Sequence, residues 1–107
     1  MNWAEGLAAG YLAEAKVDYV GLWQIAAHAR EDLGLTSQSD IMVAAMNVVR
    51  GMVDGGLRPG DYLASGFQYW PESDADVAVA RIEREWTRLG HDPNLAQPIC
   101  WFAPAPK

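Results

Sequence analysis

The chain is poor in the residues that most chemistry needs. Its 107 residues include one cysteine, two histidines and eight basic side chains. A lone cysteine excludes an internal disulfide and any zinc site built on paired cysteines. Eight cations against fourteen acids leave a formal charge of −6. That balance argues against affinity for nucleic acid or anionic lipid. Apolar residues never run to the ~18 needed to cross a bilayer. No glycine-rich phosphate loop, GxSxG elbow or HExxH motif occurs. The absences point away from an enzyme, with no cofactor and no metal expected.

What is present is an ordinary globular composition, half apolar and 21% charged. The length fits one compact domain over 1–107, with an extended, proline-rich tail from about residue 93. Leu7 to Ala13 superficially resembles a signal sequence. The first cation is Lys16, however, and Glu5 and Glu14 flank the apolar stretch, so it reads as a retained helix. Together with the unpaired Cys100, this gives a cytoplasmic expectation.

Hydrophobic spacing marks four candidate helices, the first of them weakened by glycine. Over 2–15, Trp3, Leu7, Ala8, Tyr11 and Ala15 share a face, although Gly6 and Gly10 weaken it. Over 18–33, Asp18 is the expected N-cap and Gly34 the C-cap, with Tyr19, Leu22, Trp23, Ala26, Ala29 and Leu33 inward. Over 38–54, Ser37 caps through Asp40, and an unusually wide apolar arc marks the central helix. Over 74–90, Ser73 with Asp76 resembles a capping box, and Ala75, Val79, Ile82, Trp86 and Leu89 form the buried face.

Between the last two helices, residues 57–70 read as a hairpin. Arg58-Pro59-Gly60-Asp61 has the chemistry of a turn, and Ala64-Ser65-Gly66 that of a tip. Pro98 to Pro106 reads as an extended tail, with Ile99 and Trp101 on one side and Cys100 and Phe102 on the other. The fold class is therefore mainly α, α+β, with three to four helices and a two-stranded hairpin in a winged-helix-like layout.

Several residue sets could carry a function. A helix-turn-helix over 18–54 would present Asn47 and Arg50 to DNA, aided by Arg58 and Arg84, but Asp40 and Asp54 share that strip and Asp54 can pair with Arg50. Arg81, Arg84 and Arg88 make a basic stripe on the last helix, able to hold an anion. Asp61, Glu72, Asp74 and Asp76 form an acidic set that could dock a basic protein. Tyr69, Trp70, Trp101 and Phe102 are the aromatic residues best placed to meet a partner. His28 falls on an exposed helix face, His91 lies just past a helix end, and Cys100 sits between Ile99 and Trp101 as a structural residue.

The run Asp18-Tyr19-Val20-Gly21-Leu22-Trp23, the turn Pro59-Gly60-Asp61, the segment Arg81-Ile82-Glu83-Arg84-Glu85-Trp86 and the ending Ile99-Cys100-Trp101-Phe102 resemble small bacterial proteins of unassigned function. The resemblance covers most of 17–103 and implies packing and turn roles, with no catalytic one. In size and acidity the chain is similar to interaction modules such as immunity proteins. The leading expectation is a non-enzymatic module for a basic protein partner. The alternative is a winged-helix-like DNA-binding regulator.

Overall fold

The computed structural model describes residues 2–106. Its elements are α1 (Trp3–Glu14), β1 (Val20–Gly21), α2 (Leu22–Leu33), α3 (Gln38–Asp54), β2 (Leu57–Leu63), β3 (Gly66–Tyr69), α4 (Ala75–Leu89) and β4 (Trp101–Pro104). The four strands form one antiparallel sheet in the order β1-β4-β2-β3. The class is α+β, with four strands where the sequence suggested two. None of the helices is long and apolar enough to cross a membrane, among the described residues.

The helices form where local chemistry places them. Ser37 Oγ accepts from Asp40 N–H at 3.1 Å at the start of α3. Gly34 and Gly90 end α2 and α4 at φ +64° and +81°, a region that costs glycine little. The broad apolar arc of α3 buries Ile41, Ala45, Met46, Val48, Val49, Met52 and Val53. It packs against α1, α2, α4 and β2, which makes it the centre of the core. The glycine-weakened α1 is docked on α3, and that contact supplies the stability its own sequence lacks.

Three expectations need correction. First, α2 begins at Leu22, because Val20 and Gly21 are drawn into the sheet opposite Phe102 and Trp101. Gln24 Oε1 accepts from Gly21 N–H at 2.7 Å at the new helix start, while Asp18 Oδ1 accepts only from Tyr19 N–H. Leu33, expected inward, is 43% exposed. Second, the tail is no loose end, since its residues 101–104 become β4 between β1 and β2.

Third, Arg58-Pro59-Gly60-Asp61 lies inside β2 instead of turning. Proline is tolerated there because it stands opposite Trp70, just past the end of β3. Trp70 N–H donates to Pro59 O at 3.0 Å, and the return bond is the one a proline cannot make. The chain reverses at Ala64–Ser65, before Gly66 at φ +121°.

Candidate functional site

Side chains alternate across a sheet, so the register sorts them into two sets. Val20, Phe102, Leu57 and Pro59 point into the core and are buried. The opposite face carries Gly21, Trp101, Gly60 and Tyr62 across β1, β4 and β2, and Phe67 and Tyr69 on β3. Tyr19, two residues before Gly21, joins the same side.

These aromatics form a connected strip. Tyr19 stacks on Phe67, with ring centres 4.9 Å apart and planes at 25°. Tyr62 meets Tyr19 edge-on at 4.7 Å and Trp101 edge-on at 5.9 Å. Phe67 meets Tyr69 edge-on at 4.9 Å, and the Tyr69 hydroxyl donates to Pro104 O. Edge-to-face and offset pairs of this kind add to simple area burial. Two glycines let the rings lie close to the backbone. A Cβ on Gly60 would stand 2.5 Å from both Phe67 Cε1 and Gln68 O. A Cβ on Gly21 would stand 2.6 Å from the Trp23 ring. Tyr62 remains 55% exposed, and Leu63 at the hairpin end 44%.

The expected aromatic set is therefore split. Tyr69 and Trp101 lie on this open face. Phe102 is fully buried on the core side, since it is one residue out of phase with Trp101. Trp70 is 6% exposed, packed beneath the Arg81 guanidinium. Sequence reasoning missed Tyr19, Tyr62 and Phe67 as face residues. The spacing of Phe67 and Tyr69 at i, i+2 was a usable signal, whereas Tyr19 was hidden in the segment read as helix.

The expected acidic surface is largely drawn into internal contacts. Asp61 accepts from Trp70 Nε1 at 3.2 Å. Glu72 accepts from Arg81 at 3.0 Å, and Glu85 from the same guanidinium at 2.7 Å. A backbone hydrogen bond at Glu72, together with Arg81, holds that carboxyl below its ordinary pKa against the opposing effect of desolvation. Asp76 pairs with Arg50, in place of the expected Arg50–Asp54 pair, and this hydrogen bond raises the Arg50 pKa. Asp74, not Ser73, is the N-cap of α4, and it makes no side-chain capping bond.

The basic stripe is broken in the same way. Arg81 is half-buried in its network. Desolvation opposes its charge, but hydrogen bonds to Glu85 and Glu72 outweigh that and raise its pKa. Arg84 and Arg88 are exposed. Of the other arginines, Arg30 pairs with Asp92 at 2.9 Å. Arg58 donates to Val53 O at 3.0 Å and Leu57 O at 2.7 Å, tying down the end of α3. Asn47 is exposed on α3.

Catalytic candidates stay apart. His28 lies 3.4 Å from Asp32 on the surface of α2, and His91 is exposed beyond α4. Cys100 is fully buried, and desolvation pushes its thiol up. No cluster of three or more His, Cys, Asp or Glu side chains is placed to hold a metal, among the described residues. A cleft of about 390 Å³ runs between α4 and the 97–99 segment, lined by Glu85, Arg88, Leu89, Gln97 and Ile99. Its wall is strained: Ile99 has φ +66°, and Cys100 N–H donates to Pro98 O at 2.8 Å across it, the hydrogen bond of a γ-turn. No family model, curated protein or solved structure matches this chain.

Proposed function

We propose that this chain is a non-enzymatic protein-binding module that docks a basic partner on the aromatic face of its sheet. One observation carries the reading. The aromatic strip Tyr19–Phe67–Tyr62–Trp101 runs across the face of the sheet opposite the buried Val20, Phe102, Leu57 and Pro59, and at its centre Tyr62 is 55% exposed. Tyr and Trp are the residues that dominate binding hot spots. Charge selects the partner. Arg30, Arg50 and Arg81 are neutralised by internal acids and Arg58 is bound to carbonyls, whereas Glu14, Asp18, Glu31, Asp40, Asp54, Asp74 and Glu83 make no ion pair among the described residues. A field of that sign steers cationic surfaces inward, and partner arginines and lysines stack well on tyrosine and tryptophan. The most concrete version is an immunity-type inhibitor that covers the basic cleft of a nuclease.

The test is capture from the host at about 50 mM salt, where electrostatic complexes persist. A stoichiometric basic protein, held by the wild-type chain and lost with Tyr62→Ser, supports the reading. An empty bait, or a partner indifferent to Tyr62, overturns it.

The alternative, a winged-helix-like DNA-binding regulator, has the order α1-β1-α2-α3-β2-β3 in its favour. It needs Asn47, Arg50, Arg58 and Arg84 to reach DNA, and two of these are already engaged elsewhere. Nucleic acid in the same capture, released by raised salt, would favour it.

A further inference from the structure

We infer that β3 is a self-pairing edge, through which two copies of this chain join their sheets about a two-fold axis at Gln68. β3 is the last strand of the sheet, so one side of its backbone has no partner among the described residues. The direction of its open groups follows from the ladder. Trp70 N–H points to β2, where it donates to Pro59 O. Backbone direction alternates by residue, so Gln68 and Gly66 also face β2, and the N–H and C=O groups of Phe67 and Tyr69 face outward.

Exposed edges are normally blunted by lysine, proline or a bulge. β3 has none of these. Its pairing with β2 is continuous from Gly66 to Tyr69, Pro71 comes only after it, and residues 66–70 carry no charge. That neutrality identifies the occupant. Two chains of charge −6 repel each other over most of their surfaces, and this uncharged strip is where a second copy approaches at least cost. The pattern is also self-complementary. With Gln68 opposite Gln68, Phe67 of one copy stands opposite Tyr69 of the other, and each such pair exchanges both N–H···O bonds. Phe67 and Tyr69 both lie on the open face, so the aromatic strip continues unbroken into the second copy and gains a cross-strand aromatic pair. The remaining like charges give the association a signature: salt strengthens it, whereas salt weakens the docking of a basic protein.

Sedimentation of the whole chain over a range of concentration and salt tests this. The expected result is reversible association to twice the 11.7 kDa chain mass, tightening by severalfold as salt is raised. Gln68 is exposed, so Gln68→Lys and Gln68→Glu keep the fold, which circular dichroism checks. Each variant alone is a monomer, because like charges meet at the axis. Mixed in equal amounts, the two variants form a dimer. A monomer mass under every condition overturns the inference. So does a dimer that both variants leave intact, which would place the contact elsewhere.

Discussion

The Arg81 guanidinium lies over the Trp70 ring, 3.6 Å from its centroid, with Glu72 and Glu85 bonded to the same side chain. One cation thereby joins α4 to the segment that follows the hairpin, and it shields an indole whose Nε1 is satisfied by Asp61. Removing it costs the cation–π contact and leaves two carboxylates facing each other. Arg81→Ala is expected to destabilise the fold by about 1–3 kcal/mol. Arg81→Lys recovers only part of this, since an ammonium cannot bridge both acids with the same geometry. Urea melts followed by tryptophan fluorescence measure both values. Equal midpoints for wild type and Arg81→Ala would remove the structural role assigned to this network.

The Glu72 carboxyl has a lowered pKa in the fold, so its contribution has a definite pH sign. A depressed carboxylate stabilises above its unfolded pKa of about 4.3, and that stability is lost as pH falls through the folded value. Wild-type stability is expected to fall between about pH 5 and pH 3. In Glu72→Gln this acid limb is shallower, while stability near neutrality is lower. Thermal melts across that range decide the matter, and parallel curves would show that Glu72 has no part in it.

Two glycines make a contrasting pair. Gly60→Ala drives a methyl against Gln68 O and the Phe67 ring, and Gln68 O is backbone that cannot turn aside. The expected cost is about 1–3 kcal/mol. Gly10 lies exposed in α1 with nothing within 4 Å of a Cβ. Gly10→Ala is expected to stabilise by about 0.5–1 kcal/mol, because alanine is the better helix former. Denaturant midpoints of the two variants should therefore move in opposite directions.

Cys100 is buried and its thiol is held protonated by desolvation, with Glu85 and Asp61 adding to the effect. A thiol reagent is expected to react with it only as fast as the protein opens. The labelling rate should rise steeply with denaturant and match the unfolding rate. Prompt labelling of the native chain would contradict the burial.

Local chemistry accounts for most of what could be read directly. Helix α3 occupies the predicted 38–54, and α4 falls within one residue of 74–90, because periodicity, capping side chains and terminal glycines all act within a few residues. The net charge and the scarcity of histidine and cysteine likewise needed no fold to interpret. The strand partners were another matter. Val20 becomes a strand only because Phe102 lies beside it, some eighty residues along the chain, and a strand of two residues has no period of its own. Pro59-Gly60 has turn chemistry, and only its place opposite Trp70 and Trp101 makes it a strand. Extended alternation already put Trp101 and Phe102 on opposite sides of the chain; the tertiary structure decided which side became core, and it buried Phe102.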